Sequence, residues 1–228
     1  NLHLAYLTAG LLALPAVLSK AELTTAMPVA GGTYVHVDRS MGPWMGMIAG
    51  LGTWFSLCSK ISFALVGLGT YLRFFSDVDP LLFSLIVLVF LVIINIIGVS
   101  KASGLQILIV AICIAALAFM VAAGAPTVTP STDVKPFLEE AGGVLSGAAF
   151  VFVSYAGVTK IASIAEEVRQ PERNIPLGML ASQFTAMALY ACIAWIITGH
   201  TPIDELATDI TPIATTADAI FGPTGSFI

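Results

Sequence analysis

Six stretches of this chain are apolar over about 20 residues each, the length that carries an α-helix across the hydrocarbon core of a bilayer. They fall at 2–26, 43–72, 80–98, 103–124, 141–168 and 176–198. Inside lipid every backbone N–H and C=O has to be paired within the protein, so runs of this length are read as helices packed on one another. Composition agrees: 57% of the residues are hydrophobic and only 10% are charged, where soluble domains carry about a quarter charged residues. The chain is therefore expected to be an all-α integral membrane protein, with a single transmembrane domain over residues 1–228.

The connections are short (PVAGGTYVHVDRSMG, FFSDVD, VSKAS and RQPERNI), with a longer APTVTPSTDVKP before the fifth stretch. The tail after 199 is polar and acidic at first, with room for a short surface helix. Lys and Arg in short loops mark the cytoplasmic side. One set of alternate loops holds Arg39, Lys101, Arg169 and Arg173, with Lys20 at the end of the first stretch; the other holds Arg73 and Lys135 beside most of the acids. The first helix then runs from outside to inside, in a plasma (cell inner) membrane. The chain opens at Asn1 without methionine or signal-peptide pattern, and ends just after Gly222-Pro223. An external start of this kind predicts a preceding helix, so the chain reads as a fragment.

Several classes are excluded. No basic cluster exceeds two residues, which removes nucleic acid as a partner. Cys58, Cys113 and Cys192 lie far apart in apolar runs, and His3, His36 and His200 are equally scattered. Neither a disulfide framework nor a metal centre is expected. A catalytic site is not expected either: a Ser–Lys hydrolase built on Ser154 or Ser56 lacks any pattern bringing a lysine to the serine. A channel would need a continuous polar lining, which the third and fourth stretches lack.

The fifth stretch, GGVLSGAAFVFVSYAGVTKIASIAEEVRQPERNIP, changes character halfway. Small apolar residues give way to Ser154, Tyr155, Gly157, Thr159 and Lys160, then to Glu166, Glu167 and Arg169. A helix breaks inside a membrane only where it faces protein or water, as at the substrate sites of many secondary transporters. A break near Val153, Ser154, Tyr155, Ala156 and Gly157 is the expectation, the alternative being that these small residues simply pack on another helix. In the second stretch, Thr53, Ser56 and Lys60 share one helical face. Lys60 lies roughly 25 Å up the helix from Pro43 at 1.5 Å per residue, too deep to reach the membrane surface easily. It is expected to face the bundle interior with a partner. In the first stretch Pro15 predicts a kink, and Ala9, Gly10, Ala13 and Ala16 predict close packing. Pro176 is expected in the first turn of the sixth helix.

Two segments resemble the amino acid–polyamine–organocation (APC) permeases. The first is LSKAELTTAMPVAGGTYVHVDRSMGPWMGMIAG, through Ala21, Glu22, Leu23, Pro28, Ala30, Gly31, Gly32, Tyr34, Gly42 and Pro43. The second is FVSYAGVTKIASIAEEVRQPERNIP, through Phe152, Tyr155, Gly157, Glu166, Glu167, Pro171, Arg173, Asn174, Ile175 and Pro176. Asn95, Gly98, Lys101 and Gln106 add a weaker match. The resemblance implies part of a LeuT-type five-plus-five inverted repeat, helices two to seven of about twelve. Such proteins move amino acids by alternating access.

On that reading, backbone groups of Val153, Ser154, Tyr155, Ala156 and Gly157 hold an amino acid or related amine. Thr159 lines the side-chain end, and Ser56 faces the same cavity. Lys60 and Lys160 are candidate coupling groups, with structural pairing as the plainer alternative. Glu22, Glu166, Glu167 and Arg169 read as a solvated cytoplasmic surface that latches a gate. No cofactor is implied; the coupling ion is H+ or Na+. A non-transporting amino acid receptor or channel on the same scaffold is the second reading.

Overall fold

The computed structural model describes residues 1–72, 79–97, 99–128, 141–201, 203–206, 208–222 and 225. The connections expected around 73–78 and 129–140, with Arg73, Asp77, Asp133, Lys135, Glu139 and Glu140, lie outside them, as do Gly98 and the Lys101 side chain. The described residues are helical with no strand: α1 (Leu2–Ala26), α2 (Thr33–Met41), α3 (Pro43–Leu72), α4 (Pro80–Ile97), α5 (Val99–Gly124), α6 (Ala141–Val151), a 3₁₀ segment (Phe152–Glu167), α7 (Pro171–His200), α8 (Ile203–Leu206) and α9 (Pro212–Phe221). Five helical runs among them are long and apolar enough to cross a membrane: Leu2–Ala26, Pro43–Tyr71, Gln106–Thr127, Gly142–Glu167 and Pro171–His200. The sixth expected span, α4, is strongly apolar but shorter, at 18 residues.

The chain divides into two compact units. The first comprises Asn1–Ser56 and Ser131–Trp195, and α1 is its mast. Ala5, Ala9, Ala13, Val17 and Ala21 recur every fourth residue and are all buried, and Gly10 and Thr24 join them. Residues four apart form one ridge of a helix, and a ridge of small side chains lets a neighbouring backbone approach closely. α6 and the 3₁₀ segment lie on this ridge. Ala9 and Ala13 meet Ala148, Tyr155 and Met187; one end further on, Val17 and Ala21 meet Ala162, Ala165, Ile175 and Met179. At Gly10 a Cβ would run into the Met187 side chain, so α7 crosses where the side chain is missing. Pro15 lies inside α1. Its ring leaves the Leu11 carbonyl without its usual intrahelical donor.

The fifth apolar stretch departs from expectation. The interruption is present but not at Val153–Gly157: from Phe152 the chain changes from α to 3₁₀ winding, and at Ile164 the angles leave the helical range (φ −120°, ψ 22°), a kink that joins two helical pieces. Within each piece the tighter winding pairs N–H groups three residues back, which meets the membrane's demand without unwinding Val153–Gly157. At roughly 2.0 Å per residue the stretch before the kink, residues 152–163, rises about 24 Å, some 6 Å more than the same residues in an α-helix.

Two boundaries also shift. α2 occupies part of what reads in sequence as a loop. α7 begins at Pro171, so Pro176 lies inside the helix and not in its first turn. Pro171 takes the first position, where no N–H is needed. The turn before it places Gln170 at φ 49°, and the Asn174 side chain donates to the Arg169 carbonyl.

The second unit comprises Leu57–Pro130 and Ile196–Ile228. Ser84 of α4 donates to the Leu65 carbonyl of α3 at 2.8 Å, and Phe119 stacks on Phe221 at 5.5 Å. Before α9, burial would raise the Asp209 pKa, but hydrogen bonds from the Thr211 N–H and from the Thr215 and Thr211 hydroxyls hold its carboxyl below the usual range. A cavity of about 160 Å³ is lined by Tyr71, Ala116, Leu117, Met120 and Phe221 among others. Apart from Tyr71, these lining side chains carry no polar group.

The ridge makes a direct prediction. Ala9→Leu overfills the contact with Ala148 and Met187 and should lower stability by about 1–3 kcal/mol. Leu11→Ala, at a side chain 57% exposed, should stay within about 0.5 kcal/mol. Thermal unfolding of the two variants in detergent measures the contrast.

Candidate functional site

The 3₁₀ segment has two unlike faces. Tyr155, Ala162 and Ala165 are buried, and Val158 and Ile161 pack beside them. At three residues per turn Tyr155, Val158 and Ile161 stack in one row, and Ala162 and Ala165 fall in the next. Val153, Ala156 and Gly157 are exposed, and Ser154, Thr159 and Lys160 are half-buried. A Cβ built on Gly157 meets no atom within 4 Å. The expected site residues are thus divided by the winding of one helix: Tyr155 turns to the core while its neighbours line an open side.

Tyr155 is the fixed point of this arrangement. It is 2% exposed, and its hydroxyl donates to the Tyr6 carbonyl of α1 at 2.9 Å. The Tyr190 ring of α7 stands 5.6 Å away edge-on and lies 5.6 Å from the Tyr6 ring. Edge-to-face rings attract through their quadrupoles, by about 0.5–1.5 kcal/mol beyond area burial. Three helical elements therefore meet at one tyrosine cluster. One turn along α1, Gln183 of α7 is fully buried and donates from Nε2 to the Gly10 carbonyl at 2.8 Å. Both anchors use α1 carbonyls, four residues apart.

The remaining candidates are dispersed. Ser56 and Lys60 are exposed on α3, so the expected placing of Lys60 in a bundle interior is not what the described residues display. Lys60 belongs to the second unit, Ser56 to the first. Glu22, Glu166, Glu167 and Arg169 are exposed at helix ends, as a solvated surface requires. Lys160 lies near enough to act electrostatically on Lys20. Among the described residues, no group of three or more His, Cys, Asp or Glu could hold a metal ion.

The profile of the amino acid permease family matches residues 1–222. The chain belongs to the amino acid permease family. Relatives include the branched-chain amino acid permease BcaP of Lactococcus lactis, 27% identical over 91% of this chain and 50% of that protein. BcaP of Bacillus subtilis is 27% identical over 91% of this chain and 49% of the relative. The vacuolar cationic amino acid transporter 8 of Arabidopsis thaliana is 28% identical over 90% of this chain and 38% of the relative. The chain thus spans about half or less of the length of these relatives. The family and these relatives are transporters, which agrees with the non-enzymatic reading at that level.

Gln183 and Tyr190 are scaffold residues that no motif in the sequence marks. Their spacing of seven on one helix placed them on a common face, but no pattern named α1 as the partner. Tyr155→Phe removes the bond to the Tyr6 carbonyl while leaving the ring packing. It should cost about 0.5–1.5 kcal/mol, whereas Tyr155→Ala should cost about 3–5 kcal/mol. Chemical or thermal denaturation of both variants reads the difference.

Proposed function

We propose that this chain serves secondary active transport of amino acids by alternating access, with the substrate held against the open side of the 3₁₀ segment at Val153, Ser154, Ala156 and Gly157. The observation that carries the reading is the α-to-3₁₀ change at Phe152 beside an uncovered Gly157. When hydrogen bonding passes from four residues back to three, the ladder skips one carbonyl near the junction. A skipped carbonyl is an acceptor for a substrate ammonium, available without unwinding the helix. Gly157 exposes backbone to close approach. Thr159 would border the substrate side chain, and the Tyr155 anchor would hold the segment in register.

The substrate class is an amino acid; the relatives named above are branched-chain and cationic permeases, and nothing in the site favours one side-chain class. The membrane is proposed to be the plasma (cell inner) membrane, with Asn1 outside and Lys20, Arg39, Arg169 and Arg173 on the cytoplasmic side. Ser56 on α3 is proposed to face the same substrate path. Coupling to H+ or Na+ is proposed, with Lys60 and Lys160 as the charged groups on offer. Glu22, Glu166, Glu167 and Arg169 would form the cytoplasmic gate surface.

Radiolabelled amino acid uptake into proteoliposomes, with a competition panel, tests the activity. Gly157→Leu tests the site, because its side chain enters open space. Stability should change by no more than about 0.5 kcal/mol, while substrate affinity should fall about tenfold or more, or some 1.4 kcal/mol. Unaltered uptake with this variant would place the substrate elsewhere. Lys60→Met should flatten the pH dependence of uptake if that lysine couples protons; an unchanged profile assigns coupling to another group.

A further inference from the structure

At the end of α1 a small polar cluster takes no part in the proposed site. Lys20 Nζ donates to Thr33 Oγ1 at 3.0 Å and lies 3.1 Å from His36 Nδ1. An ammonium has only donors, so the contact requires Nδ1 to accept and the proton of a neutral imidazole to sit on Nε2. His36 is 3% exposed, and its Nε2 is buried without a hydrogen-bond partner. Burial first, then the Lys20 charge, lowers the His36 pKa; the Met27 carbonyl acts the other way, and Arg39 lowers it further.

The surroundings are positive or neutral toward this ring. α1 contributes Lys20, and α2 itself contributes Arg39. Asp38 on the same helix turns to α3, where a Cβ on Gly46 would meet its Cβ at 2.7 Å. From the 3₁₀ segment come Lys160, acting on Lys20, and Ser163, against Gly32. Glu22, Glu166 and Glu167 are exposed. The connection closing the cluster holds Gly31 at φ 120° and Gly32 at φ 54°, conformations open to glycine. The cluster therefore fastens α1, α2 and their two-glycine turn beside the end of the segment that carries the proposed site.

We propose that the Lys20–His36 contact is a proton-released latch holding α2 to the end of α1. A second proton on His36 removes the acceptor at Nδ1 and sets two cations in contact in a buried place. Because the closed form binds that proton less readily than the open form, the latch is at full strength above the ordinary histidine pKa of about 6.5. It weakens as pH falls below that value toward the lowered one. Acidification on this side of the protein would thus free α2 and its turn, a conformational response separate from substrate binding.

The test reads conformation, not transport. With Cys58, Cys113 and Cys192 replaced by Ser, nitroxides at Leu23→Cys and Met41→Cys, both exposed, report the α1–α2 distance in the full chain in lipid nanodiscs. One narrow distance is expected at pH 7.5, joined at pH 5.5 by a second, broader population. His36→Gln, whose carbonyl accepts from Lys20 without titrating, should keep the narrow distance at both pH values. The ¹⁵N shifts of the His36 imidazole should titrate below the ordinary value, and Lys20→Met should raise that midpoint. A distance indifferent to pH, an equal response in His36→Gln, or a midpoint at or above the ordinary value would each overturn the latch.

Discussion

Close packing along one ridge of α1 is the contact on which the first unit depends. In lipid no hydrophobic drive brings helices together, since acyl chains are as apolar as leucine; contact and interhelical hydrogen bonds do the holding. Ala5, Ala9, Ala13, Val17 and Ala21 supply the contact. The Tyr6 and Gly10 carbonyls supply the acceptors, for Tyr155 of the 3₁₀ segment and Gln183 of α7. Small side chains and backbone acceptors work together here, because only a neighbour that comes close can reach a carbonyl already inside a helix.

That packing shapes the candidate site. Tyr155 is drawn onto α1, while Val153, Ala156 and Gly157 around it are exposed. The same helix is thereby core on one face and open on the other. Long 3₁₀ runs are uncommon, their hydrogen-bond geometry being poorer than that of α-helices, and they often mark hinges. One held beside a tyrosine cluster at one end and the α1–α2 turn at the other, through Ser163 against Gly32, is a segment whose winding both ends can influence.

Much of this was legible before any coordinates. Glu166, Glu167 and Arg169 fall at an exposed end as charges at a membrane boundary must, and the Ala9, Gly10 and Ala13 cluster is buried as small residues in a spanning helix predict. Ala16, grouped with them by size, is exposed: without knowing the crossing geometry, size alone does not choose between adjacent faces. The change of character after Val151 was visible as a polar interruption, yet its form was not. A break and a change of winding both satisfy the backbone, and composition does not distinguish them. α2 was hidden because Tyr34, Val35, Val37 and Asp38 sit between glycine pairs and a Gly-Pro, which read as loop punctuation.

Apolar length and the scarcity of charge determined by themselves that this chain is helical and lives in a membrane, because hydrocarbon leaves the backbone so few ways to pair. The APC-like motifs likewise marked the family. Only the tertiary structure decided which face of each helix is inside. α1 is apolar all round, so hydropathy has no direction to offer, and its buried ridge is selected by how near α6, the 3₁₀ segment and α7 can approach. The same holds for the pairing of Lys20 with His36, sixteen residues apart: a turn through two left-handed glycines brings them together, and spacing along the chain does not disclose it.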